Sequence, residues 1–129
     1  MIIFIIHSCE MPVTVHDDEE DAIFYTKDQK ADVPRPDSTI RVMTWNIRFG
    51  IGRGPWFADA CGYRVIYTEA EILENLNNII EHINLVKPDV LFLQEIDINS
   101  TRSAYIDEIR WILDHTYFNY AVYGSQLKS

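Results

Sequence analysis

Apolar positions change their period several times along the chain, and each change marks an element. Arg41-Val42-Met43-Thr44-Trp45-Asn46-Ile47 is a β-rich run and predicts a first strand. Further on, Ile72, Leu76, Ile79, Ile80 and Ile83 fall at i, i+4, i+7, i+8 and i+11, a single stripe at helical period that packs on a sheet. Thr68-Glu69-Ala70-Glu71 reads as the capping box that starts this helix, with the Thr hydroxyl accepting from the backbone three residues on and Glu71 reaching back. Pro88 ends it. Val90 to Ile96 is apolar on both faces, which predicts a central strand covered by layers on each side and not an edge. Ile106, Ile109, Ile112 and Leu113 predict a second amphipathic helix from about Ser103 to His115, and Tyr117 to Tyr123 a third strand. Strand, long loop, helix, strand, helix, strand is the pattern of an α/β layered fold.

The segment from Arg48 to Tyr67 carries four of the five glycines and reads as a loop. Loops above about 12 to 15 residues tend to be functional or mobile. Two readings stay open: a lid over a substrate, with Trp56 and Phe57 as apolar contacts and Arg53 or Arg64 as phosphate partners, or an ordinary packed loop. Gly50-Ile51-Gly52-Arg53-Gly54 lacks the Lys-Ser/Thr ending of a P-loop and opens no helix, so the phosphate-cradle reading is set aside.

Before the first strand the chain divides in two. Met1 to Ile6 is wholly apolar and leads into His7-Ser8-Cys9; residues 1–9 read as a short export or lipoprotein signal, with Cys9 as the lipidated residue of a membrane anchor. The run has no Lys or Arg before Cys9, and a mis-set start or a short apolar arm competes with that reading. Export or anchoring in a bacterium is the location it implies. Residues 10–39 are acidic, close with Pro34-Arg35-Pro36-Asp37-Ser38, and read as a solvated linker, leaving residues 40–129 as the folded domain.

Composition narrows the function. A chain of 129 residues with 47% hydrophobic and 12% aromatic content has enough apolar material for one core. A net charge of −9 argues against a general nucleic-acid binder, because backbone affinity needs clustered Lys and Arg. It leaves room for a cation site, since acidic ligands hold the ion and the ion supplies local positive charge. Cys9 and Cys61 stand alone and the four histidines share no spacing, so no zinc signature is present.

The chemistry concentrates at two strand ends. Val90-Leu91-Phe92-Leu93 stops abruptly at Gln94 and Glu95, and a carboxylate at the mouth of an apolar strand is either paired or holds a metal. Asn46 ends the earlier strand in the same way. Thr44-Trp45-Asn46-Ile47 and Leu91-Phe92-Leu93-Gln94-Glu95-Ile96-Asp97 together resemble the first two signature motifs of the endonuclease/exonuclease/phosphatase superfamily of divalent-metal phosphoesterases. The resemblance covers roughly residues 40 to 123. It implies a β-sandwich of two packed sheets flanked by helices, of which this chain would hold about half, and it leads us to expect an orphaned inner sheet face. It also implies that Glu95 is a ligand of a catalytic Mg²⁺ or Mn²⁺, with Asn46 beside it at the metal and phosphate. Asp97-Ile98-Asn99-Ser100-Thr101-Arg102-Ser103 is similar to the family's Asp-x-x-x-x-Arg-Ser loop, which would bring Arg102 to a substrate phosphate.

The implied reaction is attack of water on a phosphodiester or phosphomonoester, with a phospholipid head group, a small-molecule phosphoester or a nucleic acid as substrate. The family's later Asp-x-Asn and Ser-Asp-His motifs are not in this sequence, and Asp114-His115 sits within a helical pattern, as an exposed helix end. No residue reads as the base that activates the water. The chain is therefore expected to bind metal weakly, to turn over nothing by itself, and to be the N-terminal portion of such an enzyme. Two other readings remain: a non-catalytic α/β fragment that binds a partner through its uncovered sheet face, and a binding module in which Glu95 is a structural ion pair with Arg48 or Arg102.

Overall fold

The computed structural model describes residues 21–33, 39–57, 59 and 62–124. The signal reading of residues 1–9, including Cys9, lies outside them, as does Cys61. Strands β1 (Ile23–Thr26), β2 (Val42–Asn46), β3 (Val90–Gln94) and β4 (Tyr120–Tyr123) and helices α1 (Glu69–Val86) and α2 (Glu108–His115) make a mixed α/β arrangement with two small sheets.

Helix α1 forms as its stripe predicts. Thr68 Oγ1 accepts from Glu71 N and Glu71 Oε2 accepts from Thr68 N, so both halves of the capping box are made. At the other end Lys87 takes a left-handed conformation, φ 51°, and returns its N–H to Ile83 O before Pro88 forbids another turn. Ile72, Leu76, Ile79, Ile80 and Ile83 are all buried. Around them Ile47, Ile51, Tyr67 and Ile112 complete the main core, while Tyr25, Ile109 and Leu113 form a smaller one under β1 and β4.

Parallel pairing of β2 with β3 follows from the helix between them, since parallel strands need a long crossover. The register runs from Val42 opposite Val90 to Asn46 opposite Gln94. Burial alternates along both strands: Met43, Trp45, Leu91 and Leu93 point inward, and Val42, Thr44, Val90 and Phe92 outward. The expectation that the strand from Val90 is central and covered on both faces is corrected here. Among the described residues β3 pairs with β2 alone, and Phe92 is 56% exposed. A run that is apolar on both faces records what each face prefers, whereas covering the second face takes another layer.

Two further expectations are corrected. Ile23–Thr26, inside the span read as linker, is a strand paired antiparallel with β4, from Ile23 opposite Tyr123 to Thr26 opposite Tyr120. Lys27 N donates to Asn119 O and Lys27 Nζ to Thr116 O, and the Asn119 amide both accepts from Ala31 N and donates to Ala31 O, so residues 23–31 are fastened beside the last strand and the turn before it. The second helix begins at Glu108, five residues later than expected from Ser103. Thr101–Ser103 is a single 3-10 turn, Ala104 and Tyr105 both have positive φ (55° and 60°), and Asp107 then caps α2 by accepting from Arg110 N. Two successive left-handed residues interrupt a helix whatever the spacing of its apolar positions.

The described residues between Arg48 and Tyr67 form a packed loop. Ile51 and Tyr67 are buried in the core, Tyr67 Oη donates to Pro55 O, and Trp56 bridges with Arg64. Arg64 does not reach toward a ligand: it grips both carboxylate oxygens of Glu71 at 2.7 and 2.9 Å and lies over the Tyr67 ring. That guanidinium holds the Glu71 carboxyl well below the usual carboxylate range, aided by the Thr68 backbone and hydroxyl donors.

Candidate functional site

The parallel register sets Asn46 opposite Gln94, which brings the Asn46 and Glu95 backbones to the same end of the β2–β3 pair. Backbone bonds continue the pairing past both strand ends, from Ile47 N to Gln94 O and from Phe49 N to Glu95 O. Asn46 Oδ1 accepts from Arg48 N at 3.0 Å, a short turn that lifts the chain away from the sheet. The Gln94 amide donates to Thr44 Oγ1 across the strands and is occupied in fixing the sheet face.

Backbone strain gathers here. Arg48, Phe49 and Gly50 follow one another with φ of 48°, 55° and 66°, and Glu95 directly across from them has φ 53°. A non-glycine residue held in the left-handed region costs on the order of 1–3 kcal/mol, and such residues cluster at functional sites. The strained residues surround the two strand ends named from the sequence.

Glu95 is solvent-exposed and makes no ion pair among the described residues. Both proposed structural partners are engaged elsewhere: Arg48 pairs with Asp59 at 2.7 Å, and Arg102 with Asp97. Arg102 is the sequence-named residue that the structure places differently. Its Nε and Nη2 each donate to Asp97 at 2.7 Å, and the guanidinium lies 3.3 Å from the centre of the Phe49 ring. It borders the same cleft as Glu95 and is held in place by the Asp97 carboxylate. That cleft, about 820 Å³, runs between β3 and β4 over a floor that includes Leu93, Ile109 and Leu113, with Phe49, Glu95, Asp97 and Arg102 at the polar end.

Two acids that the sequence did not single out organise this polar end. Asp97, 6% exposed, binds Arg102 and also accepts from Ser103 Oγ at 3.0 Å. Glu108, 0% exposed, accepts from Asp97 N at 2.9 Å through Oε2, and its Oε1 has no hydrogen-bond partner. Burial pushes the Glu108 carboxyl up to about 8; the Asp97 N–H and the Arg102 charge pull the other way, and the charges of Asp97 and Asp107 add to the rise. Burial thus favours the protonated acid over the carboxylate at this position. The Asp-x-x-x-x-Arg-Ser spacing was visible in the sequence, but nothing in it signals that Glu108 lies beneath.

Among the described residues no group of three or more His, Cys, Asp or Glu side chains is gathered where it could hold a metal ion. Asn46 and Glu95 are hard oxygen donors with capacity to spare: the carboxylate is unpaired, and a carboxamide oxygen has a second lone pair beyond the one given to Arg48. A hydrated Mg²⁺, which keeps several waters and takes one or two carboxylates together with substrate phosphates, draws on oxygen donors of these kinds. Among the described residues no helix is long and apolar enough to cross a membrane. Neither a family model nor a curated protein nor a solved structure matches the chain.

Proposed function

We propose that the chain carries part of a divalent-metal phosphoesterase site on a layered β-sandwich like that of the endonuclease/exonuclease/phosphatase superfamily, about half of which is present. The observation that supports this reading is the placement of Asn46 and Glu95 at the carboxyl ends of two adjacent parallel strands, amid left-handed backbone. Crevices outside the carboxyl ends of strands are where α/β sheets bind ligands. Glu95, with Asn46 beside it, would hold Mg²⁺ or Mn²⁺, and the ion would supply charge for the phosphate oxygens. Arg102 contributes positive charge at the cleft, with its direction set by Asp97. The substrate is a phosphoester: a phospholipid head group, a small-molecule phosphoester or a nucleic acid. The acidic composition and anchoring through Cys9 on the outside of a bacterium would favour lipid or small-molecule phosphoesters or extracellular nucleic acid. No described side chain contacts Asn46 or Glu95 as a base, so hydrolysis by this chain alone is not expected.

A thermal melt with and without millimolar Mg²⁺ or Mn²⁺ tests the reading. A ligand that binds the native state raises its stability, so the melting temperature should rise with metal in the natural chain and not in Glu95→Gln. A cooperative melt indifferent to both ions would overturn it.

A second reading, a non-catalytic α/β binding module, is favoured by the outward faces of the two sheets. Phe24 is 77% exposed and Val42 58%, with Phe92, Tyr120 and Val122 also in solvent. Exposed apolar patches mark interaction surfaces. This reading predicts the metal-indifferent melt.

A further inference from the structure

We infer that Glu108 is a proton-controlled latch: buried and protonated it clamps the Asp97–Ser103 loop shut, and its ionisation releases that loop together with Arg102. The clamp has two points. Asp97 N donates to Glu108 Oε2 at 2.9 Å, and Glu108 N donates back to Asp97 O at 3.3 Å. Through Asp97 the clamp extends to Arg102 and Ser103, both of which are bonded to its carboxylate.

Glu108 has nowhere to put a charge. Its free Oε1 sits so close to the backbone that a Cβ on Gly50 would stand 2.7 Å from it, and the same space is walled by Ile72 and Leu76 of α1. The charged groups around it are Asp97 and Asp107, both of the wrong sign, and Arg102, whose guanidinium is bonded to both oxygens of Asp97. An uncompensated buried carboxylate is tolerated only by taking up a proton or by admitting water. Admitting water here means parting α2 from the loop. That loop holds Asn99, Ala104 and Tyr105 at positive φ, a backbone cost that opening would relieve. The inference is separate from the metal reading, because it concerns loop closure and not an ion.

A carboxyl whose pKa is raised in the closed state stabilises that state most fully below the ordinary carboxylate range, and the stabilisation is lost as pH rises toward the closed-state value. The closed loop should therefore loosen across the interval from about 4.5 to about 8 and change no further above it. Hydrogen exchange of the full chain, read by mass spectrometry and corrected for the intrinsic rate, tests this at pH 5.5 and 7.5. Amides of residues 96–107 should lose protection by up to about 100-fold over these two pH units, while α1 keeps its protection. Glu108→Gln should show no such loss. The latch is overturned by any of three results: unchanged protection in the natural chain, an equal loss in Glu108→Gln, or a loss spread evenly over α1 and the strands. The first and third are read on the natural chain alone, so they decide the matter even if the variant does not fold.

Discussion

Gly50 occupies a space that admits no methyl group. With φ at 66° and Glu108 Oε1 and Ile72 crowding the Cβ position, Gly50→Ala combines backbone strain with overpacking. It should cost about 1–3 kcal/mol, seen as a lower urea midpoint at unchanged slope. Asp97→Ala removes the acceptor of three side-chain hydrogen bonds, two from Arg102 and one from Ser103, and leaves Ser103 buried. A loss of about 1–3 kcal/mol is expected, and an unaffected midpoint would show that Asp97 does not organise the loop. Residues differ in how far the sequence reveals them. Asn46 and Glu95 stand out because each breaks a β-rich run at its end, and a strand end has a definite place in a sheet. Asp97 and Glu108 do not, because their partners come from a loop folding back on a helix, a contact that no local pattern records.

At the level of elements the same contrast holds. Helix α1 was legible from cap to stop, because its stripe, capping box and Pro88 are all local signals that agree. Thr68→Ala removes the hydroxyl that accepts from Glu71 N and should cost about 1 kcal/mol, whereas Leu76→Ala, at a site with no exposure, should cost about 2–5 kcal/mol. Reversal of that order in denaturant melts would mean that α1 does not pack as described. The start of α2 was misplaced because Ile106 keeps the helical spacing although Ala104 and Tyr105 turn the backbone left-handed. Strand β1 was missed because four residues between charged neighbours give too little pattern to read, and its pairing with β4 lies almost a hundred positions away. The open outer face of β3 depends on tertiary layering, which its composition does not determine.

The molecule as a whole answers to pH from two sides. Glu71, held low by Arg64, contributes stability that is present above the ordinary carboxylate value and lost as pH falls below it. Glu108 acts in the opposite sense, favouring the fold at low pH and costing it stability as pH rises toward about 8. Stability should thus peak near pH 5, with an alkaline decline that Glu108→Gln removes; melting temperatures from pH 4 to 9 would show it. The exposed faces carry a second whole-molecule expectation. Phe24→Lys with Phe92→Lys touches no core contact and should leave the midpoint within about 0.5 kcal/mol while reducing binding of an apolar dye. Loss of the cooperative melt in that variant would mean these rings are part of the packing.

The antiparallel seam between β1 and β4 also decides how the domain responds to force. Ile23 opens the first strand and Tyr123 closes the last, and they sit opposite each other at one end of the seam. A load applied at these two residues therefore peels the ladder open, bringing its hydrogen bonds under tension one after another instead of all together. The domain should yield to optical tweezers at low force when held at residues 23 and 123, and resist more when held at 26 and 123, where the same bonds are sheared in unison.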